Sequence, residues 1–400
     1  MSQSMSKSSR LGYAMVLGSL AALGPLCTDL YLPALPEIGS ELTTSTAAVQ
    51  LSLTAGLLGL GAGQLVFGPL SDKLGRLRPL LLSLIVLLIT SIWCALAQDI
   101  HQLIIARFLQ GVAGAGGAVL SRAIARDLYA GHELTRFFAL LMLINGLAPI
   151  LSPVLGGLML GMMSWRGIFI ALAAVAVLLF ASTLWRLGET LPAERRMSGG
   201  VGTLFSSLAR LLGDRQFMGL CLTQGLTGAG MFAYIGASPF VLQEIYHLSP
   251  QMFSACFAIN GVGLIIAAQL SAHFSQRWGE MRVLKLGLAI AAVSSLLLTL
   301  ASWLQAPLVW LLVPLFFTII IVGIVGPSAS SIAMQSQGKQ AGSASALIGV
   351  SMFALGAISV PLTSIGGTSA LSMALIILLC YGLAIALFLC LTRSRTAPAL

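Results

Sequence analysis

Ser71-Asp72-Lys73-Leu74-Gly75-Arg76-Leu77-Arg78 returns in diverged form as Ser275-Gln276-Arg277-Trp278-Gly279-Glu280-Met281-Arg282, an offset of 204 residues (275 − 71) in a chain of 400. Each copy is a short polar turn that follows the second long apolar run of its half. The chain therefore reads as two related halves. Apolar runs of about 20 residues, long enough to cross a ~30 Å hydrocarbon core as helices, recur throughout. Twelve are predicted, over 11–33, 46–68, 79–97, 101–122, 137–161, 166–187, 216–240, 251–273, 282–303, 307–330, 341–363 and 370–391. The longest polar connection, Gly188 to Arg215, contains Glu189, Pro192, Glu194 and the turn signal Ser198-Gly199-Gly200. It divides the chain into an N-terminal six-helix half (1–187), a linker (188–215) and a C-terminal six-helix half (216–400). Such a parallel six-plus-six repeat is the plan of secondary transporters.

Composition agrees. The chain is 58% hydrophobic and 8% charged, where soluble domains carry about a quarter charged residues. This excludes a soluble globule and leaves an all-α integral membrane protein with the lipid bilayer as its surroundings. The net charge of +9 suggests nucleic acid until the charges are placed. With the N-terminus inside, every Lys and Arg but Arg107 and Arg166 falls on the cytoplasmic side, while Glu37, Glu41, Asp99 and Glu244 lie outside. The positive-inside rule then puts both termini in the cytoplasm, and the basicity is a topology signal with no nucleic acid implied. The first apolar run continues without an A-x-A site, so no cleaved signal is expected. Six cysteines lie within the spans and four histidines at span ends, none at metal-ligand spacing. No nucleophile with its base is in sight, so neither an enzyme nor a cofactor is expected.

Two charges stand where lipid-spanning segments should have none. Asp29 closes the first run in Leu26-Cys27-Thr28-Asp29-Leu30-Tyr31-Leu32-Pro33-Ala34-Leu35-Pro36, about 27 Å along a helix from Leu11. Ionisable groups at such depth face a cavity or a partner, and an acid near a helix C-terminus opposes the macrodipole. Arg107 lies within the first two turns of span four, at a similar depth. The two would pair, or compete through a proton. Pairing favours the charged carboxylate and burial the neutral one, and the residues leave both open.

The motifs carry a resemblance. Gly68-Pro69-Leu70-Ser71-Asp72-Lys73-Leu74-Gly75-Arg76-Leu77-Arg78 is close to the loop signature of the major facilitator superfamily, and Arg107-Phe108-Leu109-Gln110-Gly111 resembles the span-four motif of its proton-driven members. Pro149-Ile150-Leu151-Ser152-Pro153-Val154-Leu155-Gly156-Gly157 resembles the span-five antiporter signature, with Gly146 one residue short of the fuller form. Thr28 to Pro36, Arg126-Asp127-Leu128-Tyr129, Glu189-Thr190-Leu191-Pro192 and Ser164-Trp165-Arg166-Gly167-Ile168-Phe169 resemble the Bcr/CflA family of drug:proton antiporters.

That resemblance implies a major facilitator fold and efflux of bicyclomycin-, chloramphenicol- or sulfonamide-like compounds across a bacterial inner membrane, driven by the proton gradient. It implies Asp29 as proton carrier with Arg107 as its electrostatic partner, and Asp72, Arg76 and Asp127 as a cytoplasmic latch. Tyr31, Asn145, Phe232, Tyr234 and Asn260 are the expected drug contacts, being polar or aromatic groups in apolar spans. A monomer is expected. Export of a metabolite such as a sugar or purine by the same mechanism is the alternative.

Overall fold

The structure, a computed structural model, describes residues 7–129, 131–196, 210–335, 337 and 341–392. Among these there are helices and turns and no strand. The chain divides into two compact units, Met1–Ser198 with Pro250–Ala258, and Gly199–Ser249 with Ile259–Leu400.

The first unit contains α1 (Lys7–Asp29), α2 (Leu35–Glu41), α3 (Thr46–Leu74), α4 (Leu77–Leu96), α5 (Ile100–Leu128), α6 (Gly131–Leu160) and α7 (Trp165–Arg186). The first span does not end at Pro33 as its sequence suggests. Pro33 lies in a 3-10 turn, Leu32–Ala34, and Pro36 in the first turn of α2, where a missing N–H breaks no helical bond. The helical path therefore resumes and runs to Glu41, twelve residues beyond Asp29 (41 − 29). Ser45 then caps α3 by accepting from Ala48 N at 3.2 Å, and Asp99 caps α5 through Gln102 N at 2.9 Å. α3 and α5 touch backbone to backbone: a side chain at Gly59 or Gly63 would collide with the carbonyl of Phe108 or Val112. This is the small-x-x-x-small contact of membrane helices.

The second unit contains α8 (Arg215–Phe240), α9 (Pro250–Trp278, its first turns grouped with the first unit), α10 (Glu280–Trp303), α11 (Leu308–Ile320), α12 (Val322–Gln335), α13 (Ala341–Leu362) and α14 (Ala370–Leu391). α8 packs against α12, α13 and α14 and is buried along most of its length. Each of the twelve expected spans coincides with helix, α11 and α12 forming one span across Ile321. Among the described residues ten are long and apolar enough to cross a membrane; the apolar parts of the other two, Gly146–Leu160 and Leu347–Leu362, are shorter.

The internal repeat is visible in the backbone. Gly75 and Gly279, again 204 residues apart, both adopt the left-handed region, at φ +91° and +82°. Each closes its helix with the same bond, Gly75 N to Ser71 O at 3.1 Å and Gly279 N to Ser275 O at 3.0 Å. Glycine is the residue that turns there without a Cβ penalty.

Candidate functional site

Two polar centres in the first unit collect the residues singled out above. The first is a break in the opening span. Pro25 removes a backbone donor inside α1, and the Thr28 hydroxyl turns back to Gly24 O at 3.1 Å and Pro25 O at 3.3 Å. α1 stops at Asp29, which is 6% exposed. Facing this helix end is Arg107, wholly buried, so it does not reach lipid headgroups. Its Nη1 donates to the Cys27 carbonyl at 2.7 Å and to Gln110 Oε1. Gln110 is held in turn through Nε2 by Ser91 Oγ at 2.8 Å. The cation thus answers the negative end of α1. No ion pair joins Arg107 to Asp29, on which it acts at longer range. Arg107 Nε and Nη2 have no hydrogen-bond partner among the described residues.

The second centre is the turn after α3. Arg76 Nη1 donates to Asp72 Oδ1 at 2.6 Å and to Ser71 Oγ at 2.8 Å, and its Nε donates to Asp127 Oδ2 at 2.9 Å. The three residues expected to act together do meet. Glu189, from the connection after α7, closes the cluster by accepting from the Arg76 and Leu77 backbone N–H groups at 2.8 and 3.3 Å, while Thr190 Oγ1 donates to Asp127 at 3.0 Å. Burial pushes the Glu189 carboxyl up, but N–H donation from Leu191, Arg76 and Leu77 and the nearby Arg196 outweigh it, so its pKa lies below the ordinary value. Burial pushes the Arg76 guanidinium down, but hydrogen bonds and charge from Asp127 and Asp72 together outweigh it, so its pKa lies above the ordinary value.

Residues 17–361 match the Major Facilitator Superfamily. The chain belongs to the major facilitator superfamily. It is 42% identical over 388 residues to the uncharacterized MFS-type transporter YdgK of Bacillus subtilis (strain 168), covering 96% of each chain. It is 30% identical over 346 residues to the bicyclomycin resistance protein homolog of Haemophilus influenzae (strain ATCC 51907 / DSM 11121 / KW20 / Rd), covering 86% of this chain and 87% of that one. Relatives of this kind are those expected of the Bcr/CflA type. A bacterial homolog of the human lysosomal transporter Spinster shares the fold, with a TM-score of 0.74 and 17% identity over 99% of this chain and 100% of that one.

In this major facilitator the remaining candidates are spread over both units. Asn260 Nδ2 donates to Tyr234 OH at 2.9 Å, both side chains buried, and Phe232 lies against Phe353 with centroids 5.9 Å apart. Asn145 is on α6, with its side chain outside the described residues. Tyr31 turns to Arg107, whose Cζ is 4.2 Å from its ring centroid, and its hydroxyl meets Ser52 Oγ at 3.2 Å. Three contributors were not singled out from sequence. Phe169 carries no charge or polar group to mark it among the apolar residues of its span, Glu189 is 113 residues from Arg76 in sequence, and the Cys27 partner is a backbone carbonyl. Among the described residues no three His, Cys, Asp or Glu side chains gather as a metal would require.

Proposed function

We propose that this transporter is a proton-coupled antiporter that exports small antibiotics by alternating access. The observation that carries the reading is Asp29: a buried carboxylate at a helix break, with a buried cation close by but not paired to it. A carboxylate so placed exchanges a proton without first breaking an ion pair. Asp29 is the proton carrier and Arg107 the fixed charge beside it. Drug and proton alternate because each has a different affinity for the two states of the transporter, the condition for shifting any conformational equilibrium.

The Arg76–Asp72–Asp127 cluster, with Glu189, is the cytoplasmic latch, and the positive-inside rule places both termini on that side of a bacterial inner membrane. Phe232, Tyr234, Asn260 and Asn145 contact the drug, offering aromatic faces and a few hydrogen-bond groups in an apolar setting. The proton gradient supplies the energy and the working unit is the monomer. The resemblance of Thr28 to Pro36 to the Bcr/CflA signature and the bicyclomycin resistance relative support this substrate class.

The test is drug-driven proton movement by purified protein in liposomes with bicyclomycin and chloramphenicol. Wild type is expected to couple the two, and Asp29→Asn to bind drug without moving protons. Equal coupling in both proteins would make Asp29 structural. No response of either protein to any drug, with a response to sugars or purines, would favour a metabolite exporter.

A further inference from the structure

Arg107 is held on more than its hydrogen-bonded side. Its Cζ lies 4.2 Å from the Tyr31 ring centroid and 5.8 Å from that of Phe169. The two rings are tilted at 50° with centroids 5.6 Å apart, and both are wholly buried. On another side stands Gly56 of α3, where an added Cβ would lie 2.9 Å from Nη2. The guanidinium is thus enclosed by two aromatic faces and a bare backbone, an arrangement whose electrostatic attraction grows when water is excluded.

The enclosure is anchored from α2. Trp165, one helical turn before Phe169, packs edge-to-face on it at 6.1 Å and donates its indole N–H to Glu41 Oε2 at 2.6 Å. Arg166, the other cation left over by the charge pattern, pairs with the same carboxylate, donates to Ala97 O at 3.0 Å and stacks 4.2 Å over the Trp165 ring. The helix after the Asp29 break is therefore fastened to the start of α7, and α7 presents Phe169 to Tyr31.

We infer that Tyr31 and Phe169 are positioning residues that hold Arg107 on the Cys27 carbonyl and off the Asp29 carboxylate, with the Trp165–Glu41 contact setting their place. The inference rests on the reading of Asp29 as proton carrier. If the cage is opened, Arg107 swings to Asp29 and forms the ion pair that the native geometry prevents. Proton exchange then requires that pair to break at every cycle.

The cage is tested by a double-mutant cycle on melting temperature in detergent, using Phe169→Leu and Arg107→Met singly and together, since coupling energies isolate a pairwise interaction. A cage predicts that Phe169→Leu lowers the melting temperature in wild type and has much less effect once the cation is gone. Equal losses in both backgrounds reduce Phe169 to packing and overturn the inference. The functional arm measures coupled proton movement with chloramphenicol in liposomes. Phe169→Leu is expected to lower turnover about thirtyfold, the size of a desolvated cation–π contact, with drug affinity unchanged, and Phe169→Tyr to restore it. Wild-type turnover in Phe169→Leu overturns the positioning role. The Asp29→Asn protein separates the two readings. An additive cycle with coupling lost in Asp29→Asn overturns the cage and leaves the proton carrier standing. A non-additive cycle with full coupling in Asp29→Asn overturns the proton carrier, and with it the proposed role of the cage.

Discussion

Arg107 Nη1 bonds the carbonyl of Cys27 at 2.7 Å and leaves the carboxylate two residues further on unpaired. A guanidinium does this while also reaching Gln110 and keeping its Cζ 4.2 Å from the Tyr31 ring centroid; an ammonium, with a single nitrogen on a flexible stem, does not. Arg107→Lys is therefore expected to lose about 1.5–3 kcal/mol of stability, the worth of charge-assisted hydrogen bonds. The check is chemical denaturation or thermal melting in detergent. A stability within experimental error of wild type would mean that the planar contacts contribute nothing.

Arg76 bridges two carboxylates through different nitrogens, Nε to Asp127 and Nη1 to Asp72. Arg76 and Asp127 are mostly buried, while Asp72 is nearly half exposed. Their coupling should lie between that of surface and of buried pairs. A double-mutant cycle on Arg76→Ala and Asp127→Ala is expected to return about 1–2 kcal/mol, and one on Arg76→Ala and Asp72→Ala less than about 1 kcal/mol. The reverse order would contradict the geometry.

Glu189 makes the Arg76 cluster sensitive to acid. A carboxyl whose pKa is lower in the folded than in the unfolded chain stabilises fully above the unfolded value, and that contribution fades as pH falls through the folded one. Its ordinary value is 4.5 and the folded one lies below it. Melting temperatures of wild type and Glu189→Gln should therefore differ at pH 7 and converge as the pH drops below 4.5. A gap that stays constant over that range would show that ionisation of Glu189 is not what holds the turn.

The twin glycines separate strain from collision. At Gly279 nothing lies within 4 Å of an added Cβ, while at Gly75 it would strike the Glu189 carboxylate and come within 2.9 Å of Arg196. Gly279→Ala should cost about 1–3 kcal/mol, the penalty of its positive-φ, extended-ψ backbone alone. Gly75→Ala should cost clearly more. Equal losses by thermal melting would show that the Glu189 contact yields without cost.

The spans were legible because apolar length is a property of composition, and Arg107 and Asp29 because each is a charge in the wrong medium. Asp72, Arg76 and Asp127 were legible as motif members, the first two within one turn. Glu189 was not assigned to them, since a bond across 113 residues leaves no periodic trace. Tyr31 was legible as a polar aromatic group in an apolar span, but its contact with Arg107 was not. Its orientation is decided by the 3-10 turn that begins at Leu32, which helical periodicity does not foresee. The end of the first span was misplaced for the same reason: prolines mark a break, but not whether helix resumes beyond it.

Gly75 and Gly279 share a backbone conformation, yet the residues that follow them carry opposite charge. Arg76 donates to Asp127 near the end of α5, while Glu280 accepts from Ser331 at 2.6 Å and Gln335 at 2.7 Å near the end of α12. The two turns reach toward the same structural target with reversed polarity. The same peptide turn thus serves two chemistries: one is an ionic joint that acid loosens and the other a joint whose donors are uncharged.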